Sequence, residues 1–352
     1  MRKLFRIAGS LAVVVAAGLL TAWWWYLFDD IVAGAAMPGD LVRGTLNHDG
    51  IERRWLVYLP TTLADRPSIV LVLHGSRGDG DRIRRLTSHA FDQQAERHGF
   101  IAVYPDGFEQ HWNDCRATAS YSANARAIDD VGFLAALVDE MRARWGADPS
   151  RVFAAGLSNG GHMAYRLGLE APERVRGIAA IAASLPVDAN LDCARRGRPV
   201  PVMIVNGTDD PVNPYGGGLV DFLGDTSRGS VLSATDTAAY WAGLAGLTGA
   251  SETLAMPDEV PGDGSTVSRT VWARDGAPSV VLVTVSGGGH TIPHPRSRLP
   301  RLLGRTNHDV DAAAMICDFF DRLSRAEISA SVLNGQNGLA TPRNATLAIP
   351  TQ

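Results

Sequence analysis

Short, uninterrupted apolar runs recur between residues 50 and 325, and stretches with helical spacing fall between them. The runs are RRWLVYLP, SIVLVLHG, FIAVYPDG, RVFAAG, GIAAIAAS, PVPVMIVNG, TVSRTVWA and SVVLVTVSG. A strand with one wet face alternates apolar and polar residues, so runs that are apolar on both faces point to parallel strands covered on both sides. The helical stretches are DDVGFLAALVDEMRARWG, GGHMAYRLGLEAP, ATDTAAYWAGLAGL and HDVDAAAMICDFFDRLS. Strands alternating with helices predict a doubly wound, mostly parallel α/β sheet. In such a sheet an active site lies at the carboxyl ends of the strands. The chain has 352 residues, 45% of them hydrophobic, enough for one large core. Its net charge of −4 gives no electrostatic footprint for nucleic acid.

Both termini read as separable from this core. Arg2, Lys3 and Arg6 precede an uncharged run from Ile7 to Phe28, and Asp29 and Asp30 follow. A basic flank ahead of an apolar run is an export signal, so the remainder of the chain is expected outside the cytoplasm. Residues 1–36 therefore read as an export signal or an N-terminal membrane anchor. Residues 7–28 are long enough to tether, with Trp23, Trp24, Trp25 and Tyr26 as an interfacial belt, whereas Ala33-Gly34-Ala35 fits a cleavage site. Residues 325–352, rich in Asn, Gly, Thr and Pro, read as a weakly structured tail.

GLSNGGHMAY, residues 156–165, contains the pattern G-x-S-x-G between a predicted strand and a predicted helix. That placement puts Ser158 in a sharp strand-to-helix turn, the setting of a nucleophile elbow. A serine hydroxyl needs a base, and His290 follows the strand SVVLVTVSG in the pliant sequence GGGHTIP. The imidazole needs a carboxylate, and PVPVMIVNGTDDP offers Asp209 and Asp210 at another strand end. The order Ser, Asp, His is that of α/β-hydrolases. Backbone N–H groups of Asn159, after the nucleophile, and of Ser76, after SIVLVLHG, are the expected donors to an oxyanion. Of three cysteines, Cys115 and Cys193 lie in loop-like sequence and are the expected disulfide outside the cytoplasm; Cys317 falls in a helical pattern.

The motifs LHGSRG, YPDGFEQHWNDCR, DDVGFLAALVD, RVFAAGLSNGGHMAYRL, NGTDDPVNPYGGG and GGGHTIPHP occur in this order, and the chain then ends its helical pattern with DAAAMICDFF. Over about residues 40–323 the sequence resembles the polyhydroxybutyrate depolymerase-like and feruloyl/acetylxylan esterases, the carbohydrate esterase family 1 type of secreted α/β-hydrolases. The resemblance implies an α/β-hydrolase esterase domain over residues 37–324 without a large cap domain. It implies Ser158, Asp210 and His290 as triad, favours Ser76 and Asn159 as oxyanion donors, and places Trp112 and Asn113 at the mouth of the cleft to contact substrate. The chain departs from the family at Ile292, His294 and His162, where an aromatic, a glycine and a methionine are usual; these positions are expected to flank the substrate. Asp129 and Asp130 precede a helix and are assigned to capping and structural hydrogen bonds. No metal or dinucleotide signature occurs in a supporting context, so no cofactor is implied. The expected function is an exported serine esterase acting on small or oligomeric esters. Alternatives are a serine peptidase or amidase on the same fold and a catalytically silent surface-binding protein.

Overall fold

The computed structural model describes residues 2–34, 36–249, 251–274 and 279–337. A first helix, α1 (Arg2–Leu27), precedes a hairpin of β1 (Asp40–His48) and β2 (Ile51–Leu59). Then follow β3 (Ile69–Leu73), α2 (Gly80–Leu86), α3 (Ala90–His98), β4 (Ile101–Pro105), α4 (Ser122–Ala125) and α5 (Asp130–Trp145). Next come β5 (Val152–Leu157), α6 (Asn159–Glu170), β6 (Gly177–Ile181), β7 (Val202–Gly207) and a two-residue hairpin, β8 (Gly218–Leu219) and β9 (Ser230–Val231). The chain continues through α7 (Ala234–Leu244), β10 (Glu252–Ala255), β11 (Thr266–Trp272), β12 (Val280–Ser286) and α8 (Ala312–Asn337).

Ten strands form one sheet in the order β1-β2-β4-β3-β5-β6-β7-β12-β11-β10. The six central strands, β4 to β12 in that order, are mutually parallel, and antiparallel strands flank them on both edges. This is the expected doubly wound α/β-hydrolase sheet. Each apolar run named above forms a strand of it. Alternate residues feed two cores. Ile69, Leu71 and Leu73 pack on one face with Phe133, Leu137 and Tyr165 from α5 and α6. Val70 and Val72 pack on the other with Phe91 from α3 and Ile316 and Phe320 from α8. Every residue of β3, β5, β6 and β7 is buried, which is why these runs carry no polar alternation. The edge strands β1 and β10 are largely exposed and escape the pattern for that reason.

Helix α8 continues to Asn337, past the boundary expected at residue 324; no Gly or Pro interrupts the chain between Ser324 and Asn334. Residues 338–352 of the expected tail lie outside the described residues, as does Ala35 of the expected cleavage site. Among the described residues no helix is long and apolar enough to cross a membrane. Helix α1 exposes Trp23 and Trp24, and the segment after it packs on the α/β domain. Asp30 and Arg298 exchange both backbone hydrogen bonds, at 2.8 and 2.9 Å, and the Arg301 guanidinium lies 3.7 Å over the Trp25 ring.

Candidate active site

Strand β5 runs directly into α6, and Ser158 is the single residue between them. Its backbone takes φ 54° and ψ −117°, a region non-glycine residues rarely occupy. The turn is fixed by both backbone groups of the serine: its N–H donates to the Ile181 carbonyl at 2.8 Å and its carbonyl accepts from His162 N–H at 2.9 Å. The flanking glycines are needed for close approach. A Cβ on Gly156 would run into the Gly160 backbone, and one on Gly160 into the carbonyls of Leu73 and His74.

Asp210 and His290 come from the loops after β7 and β12, adjacent parallel strands. Asp210 Oδ1 accepts from the N–H groups of Val212 (2.7 Å) and Asn213 (2.8 Å), which aims Oδ2 at His290 Nδ1, 2.8 Å away. Both side chains are buried. The His290 N–H donates to Leu303 C=O at 2.6 Å, so the glycine-rich loop is ordered at its end. Asp209 points elsewhere: its carboxylate is 59% exposed, accepts from Thr208 Oγ1 and lies 3.8 Å from Arg305. The structure thus brings the imidazole to Asp210 and not to its neighbour.

Ser158 and His290 line one cleft of about 350 Å³, together with the loop from His74 to Gly78. Among the described residues the N–H groups of Ser76 and Asn159 have no acceptor, as two oxyanion donors require. The side chains around them are locked. Asn159 is wholly buried and bonded to Trp112 and Asp114. His74 donates from Nδ1 to Gly75 C=O (2.8 Å) and accepts at Nε2 from Gly107 N–H (2.8 Å). Burial pushes the His74 pKa down to about 4, keeping the imidazole neutral, as that pair of bonds demands.

Trp112 and Asn113 do not meet the cleft, which corrects the expectation of substrate contact. Trp112 is fully buried, its Nε1–H donating to the His74 carbonyl at 2.9 Å. Asn113 donates to Ile128 C=O from its side chain and to Asp130 Oδ2 from its backbone. An aromatic in a loop near a strand end suggests a platform; here the indole supports the loop that starts at His74 from behind. Of the three family departures, only His162 lines the cleft. Ile292 belongs to a core cluster, and His294 accepts from Arg296 and Ser297 N–H in a turn, so neither flanks the cleft as expected.

Asp129 caps α5, accepting from Gly132 N–H, and Asp130 pairs with Arg53 at 2.6 Å in the interior. Cys115 and Cys193 are disulfide-bonded with Cα atoms 5.0 Å apart, and Cys317 is a buried free thiol. Sequence reasoning missed Arg116, Tyr121 and Arg228, which meet around one phenol oxygen beside the cleft. Arg116 ends the motif YPDGFEQHWNDCR without standing out in it, Tyr121 and Arg228 lie outside the motifs, and 107 residues separate Tyr121 from Arg228.

The chain matches the esterase PHB depolymerase family over residues 54–236. It is 30% identical over 266 residues to the putative esterase NocK of Nocardia uniformis subsp. tsuyamanensis, covering 74% of this chain and 75% of that protein. It is 28% identical over 201 residues to feruloyl esterase B of Piromyces equi, covering 54% of this chain but only 34% of that longer protein. Among solved structures, an acetyl xylan esterase from Aspergillus awamori superposes with a TM-score of 0.50 and 20% identity, covering 73% of this chain and 96% of that one. That likeness shows the fold. The family match and the 30% identity to NocK make this chain a member of the esterase PHB depolymerase family of α/β-hydrolases.

Proposed function

We propose that the chain is an exported serine esterase that hydrolyses carboxylic esters through an acyl-enzyme. The observation that carries this reading is the 2.8 Å contact between Asp210 and His290, with His290 and the strained Ser158 on one cleft. Ser158 Oγ attacks the ester carbonyl while His290 accepts its proton; Asp210 holds the imidazole tautomer and stabilises the imidazolium. The N–H groups of Ser76 and Asn159 bind the developing oxyanion. His290 returns the proton to the departing alcohol, then activates the water that cleaves the acyl-enzyme. Relatives named as feruloyl and acetylxylan esterases support carbohydrate-linked acyl groups as one substrate class, and the family name supports hydroxyalkanoate oligomers as another. The apolar run behind a basic flank, Ile7 to Phe28, supports export.

A fluorophosphonate probe tests the mechanism. It should label Ser158 alone, and Ser158→Ala should lower kcat by about 10⁴ or more on any ester the protein hydrolyses. Full activity in Ser158→Ala would remove Ser158 as the nucleophile, and a parent protein that hydrolyses no ester and takes no probe would leave a binding protein.

A further inference from the structure

The cleft around Ser158 carries charge that ester hydrolysis itself leaves unused. Four arginines line it, Arg77, Arg82, Arg116 and Arg228, against one aspartate, Asp29, which already faces Arg85 at 3.2 Å. The chain as a whole has a net charge of −4, so this concentration of positive charge is local. Arg116 and Arg228 are buried, at 2% and 7% exposure. Arg116 gives Nε and Nη2 to Asp114, and Arg228 gives Nη1 to the Asp225 carbonyl at 2.9 Å. Both also donate to Tyr121 OH, Arg228 Nε at 2.7 Å and Arg116 Nη2 at 3.4 Å, so one hydroxyl holds two guanidinium groups side by side. Arg116 Nη1 and Arg228 Nη2 have no acceptor among the described residues, and both side chains face the cleft.

A second polar group points the same way. His162 is 2% exposed, lines the cleft, and its Nδ1 has no partner. Burial, and then the Arg116 charge, hold its pKa well below the ordinary value, so it enters the cleft as a neutral imidazole. A buried polar atom without a protein partner is met by a ligand atom or an ordered water.

We propose that this cluster is a carboxylate-recognition subsite and that the preferred ester carries a free carboxylate close to the scissile bond. The proposal rests on the esterase reading and adds the substrate's charge to it. Guanidinium forks match a carboxylate in geometry, and the low-dielectric surroundings strengthen the pairing. The counter-ion Asp225 is half exposed and therefore screened by solvent, so it leaves Arg228 attractive to an incoming anion.

The test compares matched esters that differ only in charge, one pair for each side of the scissile bond. On the acyl side these are 4-nitrophenyl hemisuccinate and its succinamate analogue. On the alcohol side they are the dimer of 3-hydroxybutyrate with a free carboxylate and the same dimer capped as its amide. At low ionic strength the carboxylate form of at least one pair should have kcat/KM about tenfold or more above its amide. The preference should shrink in Arg228→Gln and be partly kept in Arg228→Lys. Calorimetric binding of succinate to Ser158→Ala, lost in Ser158→Ala/Arg228→Gln, supplies a readout independent of turnover. Hydrolysis of both members of each pair at equal rates would overturn the subsite and leave the esterase reading standing. Succinate binding without hydrolysis of any ester would keep the subsite and remove the esterase reading. Neither hydrolysis nor binding would remove both.

Discussion

The side-chain amide of Asn159 bonds to both backbone groups of Trp112. Oδ1 accepts from the Trp112 N–H at 2.7 Å, and Nδ2 donates to the Trp112 carbonyl at 3.0 Å. A third bond runs from Nδ2 to Asp114 Oδ2 at 2.5 Å. Burial raises the Asp114 pKa, but the Arg116 guanidinium more than offsets this and holds the carboxyl below its usual range. The residue that offers its N–H to the proposed oxyanion is therefore clamped through its side chain, 47 residues from the loop that clamps it.

Asn159→Ala should be costly for that reason. It leaves the Trp112 N–H buried without its acceptor, at about 1–3 kcal/mol, and takes one bond each from the Trp112 carbonyl, which keeps the Asp114 N–H, and the Asp114 carboxylate, which keeps Arg116. Urea denaturation should show at least about 2 kcal/mol of destabilisation, since the losses overlap. In the folded fraction kcat should fall about 10- to 100-fold with a smaller change in KM, as expected when an oxyanion donor is displaced. A variant as stable and as fast as the parent would show that the clamp is idle.

The two adjacent aspartates should separate cleanly. Asp210→Asn keeps the shape of the turn but presents an amide to His290 Nδ1, favouring the wrong tautomer, and should lower kcat by about 10³ to 10⁴. Asp209→Asn touches only an exposed contact to Arg305 and a threonine hydroxyl, and should change kcat less than about threefold. Steady-state kinetics on one chromogenic ester decides the ranking, and the reverse order would reassign the acid.

The legibility of this chain follows burial. Strands covered on both faces announced themselves as apolar runs, and the glycines at 156 and 160 marked a turn that only glycine fits. Edge strands β1 and β10 stayed hidden because solvent on their faces leaves no continuous run. The choice between Asp209 and Asp210 was open from local sequence, since both follow the same strand; it is decided by which carboxylate the two N–H groups of Val212 and Asn213 hold in place. Trp112 misled because an indole on a loop looks the same in sequence whether it faces solvent or the interior. The arginine pair at Tyr121 had no sequence signal, because only folding brings those residues together.

Acid should weaken the fold through His74. Its pKa is near 4 in the folded chain, against about 6.5 when unfolded, so between these values the unfolded state binds the extra proton. The stabilisation from the neutral buried ring is therefore fully present above about pH 6.5 and is lost as pH falls toward 4, amounting to about 3 kcal/mol. His74→Gln removes the titrating group and should lose less stability over that interval. Burial raises the pKa values of Asp92, Asp106 and Asp130, which act in the opposite sense, but they are common to both proteins and cancel in the difference. Urea denaturation of the two proteins at pH 7, 5.5 and 4.5 gives the answer. Parallel curves would show that His74 does not govern the acid limb.

The disulfide should couple the compartment to the site. Cys115 and Cys193 are 78 residues apart, and closing a loop of that length stabilises by up to about 4 kcal/mol in the chain-entropy model. The bond also joins the WNDC loop to the segment before β7, where Asp192 N–H donates to the Cys115 carbonyl at 3.1 Å. Asp114, next to Cys115, is the residue that holds Asn159. Reduction should accordingly lower the melting temperature and also reduce kcat, because slack in the loop reaches Asn159, the proposed oxyanion donor, through Asp114. Cys317 should not react in the folded protein: it is 2% exposed, and burial raises its thiol pKa well above the ordinary value. Thiol counting on the oxidised, denatured and unreduced protein must then find one free thiol, mapped to Cys317. Three free thiols, or reduction that alters neither stability nor kcat, would break the link between the disulfide and the active site.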